Sequence, residues 1–246
     1  GVEGYMGSAV QQMFLSELVK DNRLDNLGVL FIHGMNPYGF KEKRRVTENN
    51  VDLNRNSSTD NRLFESVNKG YNDLNTFLNQ KEKVNLTSFG HFFFQLEAIQ
   101  KIIKYSMGTF RQAILQGQYQ YEKGIYFGGK ALEPPIRAVT PLIQQIAQPY
   151  ATVFNIDLHT GYGANGTLHL FPNPQKDEKK KSKIETIFSG FPIDWGDSDD
   201  FYTVTGDFTT YLGNSIPEKE YLTMTFEFGT MDTQTTMGSI KALHNV

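Results

Sequence analysis

Two ionisable side chains stand where apolar segments of the sequence end, which is where α/β proteins present ligand-binding groups. His159 closes the apolar segment 151–159, and Glu227 lies between two phenylalanines in segment 221–229. A carboxylate flanked in this way is costly to bury unless it is paired, protonated or functional, and burial raises its pKa towards the range of a general base. His159 has an equally good structural interpretation, as a core imidazole hydrogen-bonded to the backbone.

A polar stretch at residues 44–56 contains three arginines and four asparagines. Guanidinium groups beside amides form a fork that suits a carboxylate or an oxyanion. On its own, however, the stretch favours a surface loop in which an arginine pairs with Glu48 or Asp52. Its chemical meaning therefore depends on the rest of the chain.

In their order along the chain, these motifs resemble the zinc carboxypeptidase (carboxypeptidase A-like) superfamily. The resemblance rests on Val-Asp-Leu-Asn-Arg-Asn at 51–56, with Arg45 before it and Asp-Leu-His at 157–159 and Glu227 after it. The opening Gly-Val-Glu resembles the last three positions of the superfamily's His-x-x-Glu zinc motif, which places the His directly before residue 1.

Further stretches carry the same resemblance. Asn-Pro-Tyr-Gly at 36–39 resembles the superfamily's Asn-Pro-Asp-Gly turn, with Tyr38 in place of the Asp, and 202–206 resembles the stretch that carries its mobile tyrosine. Gln-Gly-Gln-Tyr at 116–119 and Tyr-Phe-Gly-Gly at 126–129 suggest a bacterial branch of unassigned function. Succinylglutamate desuccinylases and aspartoacylases, which are related, share the Asp-Leu-Asn-Arg stretch.

The resemblance implies Zn²⁺ as the cofactor and a role for each matched residue. Hydrolytic zinc takes three N or O ligands and an open position for water, whose pKa it lowers to about 7. Arg45 matches the superfamily's arginine better than Arg44 because of its distance from the Asn-Arg pair. The implied roles are metal ligand for Glu3 and His159, general base for Glu227, oxyanion stabiliser for Arg45, carboxylate binder for Asn54 and Arg55, and cleft cap for Tyr202.

We therefore expect a zinc-dependent hydrolase that cleaves an amide or peptide bond next to a free carboxylate. Its substrate would be a peptide or an N-acyl amino acid, and the match at Tyr202 favours a peptidase. The alternative is a non-catalytic carboxylate-binding protein that retains the fold without a working metal site. Because the sequence holds only two of the three implied ligands, we expect residues 1–246 alone to bind zinc weakly.

The elements that must position these residues follow from hydrophobic spacing. Helical spacing covers 8–20, 63–78 and 92–115, and Thr140 with Pro141 predicts a helix start that runs to residue 146. Apolar runs at 28–34, 151–159 and 221–229 predict buried strands, 36–40 predicts a turn, and the charge run 176–183 predicts a solvated loop. Strands separated by helices indicate one α/β domain over 1–246, with a mixed twisted sheet flanked by helices.

Composition sets the outer limits. The chain has 246 residues, 24 Lys plus Arg, 27 Asp plus Glu, a net charge of −3 and no cysteine, which argues against nucleic-acid binding and excludes disulfides and thiol ligands. No apolar run approaches the roughly 20 residues that span a bilayer, so we expect a soluble, cytoplasmic protein with no membrane partner. The first residue is not Met, so we expect a fragment truncated at both ends; a leader peptide and the oligomeric state stay open.

Overall fold

A three-stranded mixed sheet forms the centre of the structure. The computed structural model describes residues 3–21, 26–80, 88–173, 177–195 and 203–230, together with 240 and 243. The strands are β1 (Thr152–Gly161), β2 (Leu168–Phe171) and β3 (Glu220–Gly229), in the order β1-β3-β2. β3 pairs parallel with β1 and antiparallel with β2. The chain is thus α/β with a mixed sheet, and the strands predicted at 151–159 and 221–229 are confirmed.

Helices account for most of the remaining regular structure. They are α1 (Gly4–Asp21), α2 (Pro37–Glu42), α3 (Leu53–Asn56), α4 (Lys69–Leu78), α5 (Ser88–Tyr105), α6 (Met107–Leu115), α7 (Pro134–Ala147), α8 (Glu178–Ile187) and α9 (Phe208–Ser215), with a 3₁₀ turn at Asn61–Glu65. The pattern at 92–115 is split in two by Ser106, whose φ is +69° and whose side chain caps α6. Within the part of the chain that the structure describes, none of the helices has the length and apolar character needed to cross a bilayer.

The two faces of the sheet have different chemistry because side chains alternate along each strand. On one face Leu222 and Met224 of β3 and Leu170 of β2 pack with Ile184 of α8, and all four side chains are buried. On the other face, β1 and β3 present Asn, Asp, Thr, His and Glu side chains. The apolar face therefore anchors the sheet and leaves the polar face for chemistry.

The strand predicted at 28–34 is wrong. These residues form no strand, and Val29 and Leu30 are about 40% exposed. The segment lies beside α1 instead, where the Gln11 side chain donates to the Ile32 carbonyl at 3.2 Å and Phe14 contacts Phe31. An apolar run becomes a strand only where another strand satisfies its backbone groups, and the described residues offer none here.

Two further local predictions are wrong. Thr140 does not begin a helix, since α7 already starts at Pro134 and the Thr140 hydroxyl donates back to the Ile136 carbonyl at 2.8 Å. The charge run forms helix α8 instead of a loop: Asp177 accepts from the Lys179 amide at 2.9 Å as its N-cap, and the lysines of the helix are exposed or half-buried. The predicted turn at 36–40 becomes the short helix α2, capped by Asn36. The C-terminal residues lie largely outside the described part of the chain.

Candidate active site

His159 and Glu227 lie directly opposite each other on the parallel strands β1 and β3. Opposed residues in a ladder share a face, so both side chains project from the polar side of the sheet. The His159 Nδ1 atom is 3.6 Å from Glu227 Oε2, and the Tyr162 backbone amide donates to Glu227 Oε1 at 2.9 Å. The structure thus brings together two residues that are 68 positions apart in the sequence.

Asp157 holds the other nitrogen of His159. It lies two residues earlier on β1, therefore on the same face, and its Oδ2 is 2.9 Å from His159 Nε2. Burial disfavours a charged imidazole, but the carboxylate of Asp157, with smaller contributions from Glu227 and Glu3, outweighs it and raises the His159 pKa to about 9. The ring is therefore oriented by a carboxylate and not by a backbone group, unlike the structural interpretation given above.

Glu227 is mostly withdrawn from water, with 13% of its side chain exposed. Burial raises its pKa above the usual range, and the positive charge of His159 and the Tyr162 amide only partly oppose that effect. A carboxyl group whose pKa is shifted upwards is suited to accept and return a proton near neutral pH. This is the direction that the flanking phenylalanines predict.

Arg45 joins Glu3 to the loop before α3. Its Nε donates to Asp52 Oδ2 at 2.9 Å, and its Nη1 forms a close ion pair with Glu3. Burial would lower the pKa of Arg45, but the two carboxylates raise it above its ordinary value. The pairing of an arginine with Asp52, one of the two pairings expected of a surface loop, is thus found, but Asp52 is buried and the stretch is not a surface loop. Arg44 is exposed.

Glu3 reaches the sheet through its backbone. Its carbonyl accepts a hydrogen bond at 3.0 Å from the hydroxyl of Thr160, the residue after His159 on β1, whose side chain projects from the opposite face of the sheet. The Glu3 charge also raises the pKa values of both His159 and Glu227. Glu3, Arg45, His159 and Glu227 therefore form one cluster at the carboxyl end of β1 and β3, which we call the charged cluster.

Asn54 and Arg55 lie on α3, which begins where the Asp52 carboxylate accepts from the Asn54 amide at 3.0 Å. Arg55 is 2% exposed, and its Nε and Nη1 donate to the carbonyls of Leu115 and Asn54 at 2.9 and 2.8 Å. The Asn54 side-chain oxygen accepts from the Phe208 amide at the start of α9. Among the described residues these bonds leave the Asn54 Nδ2 and Arg55 Nη2 donors without a protein partner.

A buried network fixes the loop that carries Arg45 and α3. The Glu133 carboxylate accepts from the Thr47 hydroxyl at 2.8 Å and from the side-chain amide of Asn49. The Glu133 backbone amide donates to the side-chain oxygen of Asn56. Asn56 is fully buried and also donates to the Gly128 and Ala131 carbonyls. Sequence reasoning missed this network, because nothing local to Glu133 indicates a partner 86 residues away.

His169 is a second histidine beside Glu227 that the sequence did not single out. It occupies β2 opposite Glu227, so Glu227 has an imidazole on each neighbouring strand. Its Nε2 is buried without a hydrogen-bond partner and faces Gly163, where an added Cβ would lie 2.3 Å away. The alternation of Leu168, His169 and Leu170 is the signal that marks it as facing the polar side. Tyr202, the predicted cleft cap, lies outside the described residues.

The donor set of the charged cluster fits a metal ion in part. His159 and Glu3 supply one nitrogen and one carboxylate, which are the types that hydrolytic zinc takes. In the described ranges no three His, Asp or Glu side chains are grouped so that they alone could hold a metal ion. The zinc site that the resemblance implies therefore stays a prediction.

Comparison with known proteins gives one match. The family described as "Protein of unknown function (DUF2817)" matches residues 1–245, which is nearly the whole chain. No curated protein and no solved structure matches the chain.

Proposed function

The chain belongs to the DUF2817 family, whose function is unknown, and we propose that it is a zinc-dependent hydrolase of amide or peptide bonds next to a free carboxylate. The observation that carries the proposal is the opposition of His159 and Glu227 across β1 and β3, 3.6 Å apart, with Glu3 and Arg45 beside them. A kinship with the zinc carboxypeptidase fold is part of this proposal.

Glu3 and His159 would hold the metal together with a third ligand. Zinc, when bound, would lower the pKa of a water molecule to about 7 and polarise the scissile carbonyl. The carboxylate of Asp157 supports this assignment, because metal-ligating imidazoles commonly donate their other N–H to a carboxylate.

Glu227 would move the proton. Its upward-shifted pKa and its place beside His159 suit a base that takes a proton from the attacking water and returns it to the leaving amine. Arg45 would donate to the carbonyl oxygen as negative charge develops there, an interaction worth roughly 3–4 kcal/mol in comparable sites. For this it must leave its ion pair with Glu3, and its bond to Asp52 would keep it in place.

Asn54 and Arg55 would recognise the substrate's free carboxylate. The Asn54 Nδ2 and Arg55 Nη2 donors are the ones that the protein leaves available in the described residues. Because Arg55 is only 2% exposed, a carboxylate could reach its guanidinium group only if the side chains that cover it move. The chemistry fits both a peptide and an N-acyl amino acid.

One observation favours the alternative, a carboxylate-binding protein without catalysis. Arg45 pairs with both Glu3 and Asp52, so the Glu3 carboxylate has a cationic partner without a metal ion. A binding protein, however, has no evident use for a buried Glu227 with a raised pKa. We therefore rank the hydrolase first.

The test uses protein expressed from the complete reading frame. We expect about one zinc per chain, hydrolysis of N-acyl amino acids or short peptides with a free C-terminus, and no hydrolysis of the corresponding C-terminal amides. Glu227→Gln should retain zinc and lower kcat by about 10²- to 10⁴-fold, which is the usual contribution of a general base.

The matched control is Glu185→Gln, which changes an exposed glutamate on α8 in the same way. It should leave both zinc content and kcat unchanged. Stoichiometric zinc with no hydrolysis of either substrate class would overturn the assigned reaction, and carboxylate binding without zinc would establish the alternative.

A further inference from the structure

The ring of Tyr126 lies against both arginines to which the proposed function gives a substrate role. The guanidinium carbon of Arg45 is 5.1 Å from the ring centroid, and that of Arg55 is 5.5 Å away. Guanidinium groups within about 6 Å of an aromatic face are attracted by its negative quadrupole. One side chain thus contacts the two cationic groups at once, and it is itself only 9% exposed.

The backbone at Tyr126 is held in an unfavourable conformation. Its φ is +53°, in the left-handed region, which is strained for a bulky side chain. Two hydrogen bonds hold this part of the backbone: the Gln118 amide donates to the Tyr126 carbonyl at 3.1 Å, and the Asp52 amide donates to the carbonyl of the next residue, Phe127, at 2.8 Å. The second bond connects the neighbour of the strained residue to Asp52, which pairs with Arg45.

We propose that Tyr126 is a positioning residue whose ring fixes Arg45 and Arg55 relative to each other. On the proposed function, on which this inference rests, Arg45 serves the carbonyl oxygen and Arg55 the free carboxylate. Their fixed relation would make the enzyme select substrates whose carboxylate is a set distance from the scissile bond. Tyr126 touches neither group of the substrate in this assignment.

The competing explanation is that Tyr126 only fills space. It does pack with Leu74, Phe77 and Phe110 in the largest apolar cluster of the described residues. The two roles make different demands, because any apolar side chain of similar size can fill the space, whereas only an aromatic ring attracts guanidinium. Tyr126→Phe keeps the ring, and Tyr126→Leu and Tyr126→Met keep only the bulk.

The first measurement needs no activity. In protein labelled with ¹⁵N-arginine, the side-chain N–H signals of Arg45 and Arg55, assigned with arginine-to-lysine variants, should be displaced by the ring current. Tyr126→Phe should keep both displacements, and Tyr126→Leu should abolish both. Phe127→Leu, which removes the neighbouring buried ring, is the matched control and should leave both signals in place.

The second measurement separates this inference from the proposed function. On a substrate with a free carboxylate, Tyr126→Leu should lower kcat/KM by roughly 2- to 30-fold, through a lower kcat and a higher KM. Tyr126→Phe should have the kcat/KM of the parent protein. The corresponding amide-capped compound is not hydrolysed, so its binding is measured as competitive inhibition, and its Ki should be the same for Tyr126→Leu and the parent.

The outcomes are distinguishable. The arginine signals could be displaced in the parent protein and lose that displacement in Tyr126→Leu but not in Tyr126→Phe, while the parent shows no hydrolase activity. That result would support the positioning role and reject the proposed function. Unchanged arginine signals in a folded Tyr126→Leu variant would overturn the inference whatever the activity. If Tyr126→Leu does not fold, Tyr126→Met provides the same comparison.

Discussion

At the scale of single residues, Asp157 decides which nitrogen of His159 faces the charged cluster. Because its carboxylate takes Nε2, Nδ1 is directed towards Glu227. With a pKa of about 9, the imidazole is protonated at neutral pH in the metal-free protein. On the proposed function, a metal ion would have to displace that proton before it used Nδ1, so metal binding would depend on pH.

Replacing Asp157 by Asn should lower the pKa of His159 from about 9 towards the ordinary 6.5, because the largest favourable charge is removed while burial remains. The measurement is an NMR titration of the His159 ring in metal-free protein. Asp60→Asn, which changes an exposed aspartate paired with Arg62, should leave the midpoint unchanged. A midpoint that stays near 9 in Asp157→Asn would show that Asp157 is not the cause.

The same imidazole predicts how stability depends on pH. A histidine whose pKa is raised on folding stabilises the protein fully below its unfolded pKa of about 6.5, and the contribution is lost as the pH rises through about 9. We expect the unfolding free energy of metal-free protein to fall by about 2–3 kcal/mol over this interval. Urea denaturation at pH 6 to 9.5 measures it, and His159→Gln should flatten the dependence.

At the scale of elements, the start of α9 is tied to the site through α3. Asp207 caps α9 because its carboxylate accepts from the Thr210 backbone amide at 2.8 Å. Phe208, the first residue of the helix, donates its backbone amide to the side-chain oxygen of Asn54 on α3. The start of α9 is therefore joined by a hydrogen bond to Asn54, one of the two proposed carboxylate binders. The Asp207 carboxylate therefore has a structural role at the start of α9.

Asp207→Ala should destabilise the protein by about 1 kcal/mol, because the first amides of α9 lose their acceptor. Asp207→Ser retains an oxygen that can cap and should recover most of the loss. Urea denaturation curves of the three proteins make the comparison. Equal stability of the Ala variant and the parent would mean that the cap contributes nothing.

The success of sequence reasoning differed between elements for physical reasons. β1 and β3 were predictable because each carries an apolar or alternating run that a neighbouring strand satisfies. Segment 28–34 has the same local pattern, but its pairing depends on distant residues that periodicity does not report. Helix α8 was not predicted because only one of its residues, Ile184, is buried, and a single buried apolar position among lysines gives no helical pattern.

At the scale of the whole molecule, the charged cluster draws on four distant parts of the chain: the residue before α1, the loop before α3, the end of β1 and the end of β3. The resemblance in the order of motifs was enough to propose Glu3, Arg45, His159 and Glu227 as residues of one site, and the structure places them together. The Arg45–Glu3 pair, the Tyr126 contacts and the Glu133 network were not predictable, because each depends on tertiary approach. That residues 1–246 form one domain stays a prediction.

Zinc should stabilise the protein expressed from the complete reading frame, because a ligand that binds only the folded state shifts the unfolding equilibrium. At a free concentration 100 times the Kd the expected gain is about 2.7 kcal/mol. Thermal unfolding with and without zinc measures it. His159→Ala should lose the effect, whereas His33→Ala, at an exposed histidine, should keep it. A shift that survives His159→Ala would place the metal elsewhere.

The pairing of β1 with β3 also limits how the gene can change in length. One codon inserted between Glu220 and Glu227 would send the carboxyl group to the side covered by α8, and every later side chain of the strand would follow. Two codons would return it to the correct side, but displaced by about 6.6 Å along the strand. Insertions and deletions among homologous chains should therefore accumulate in the connections and spare these two strands.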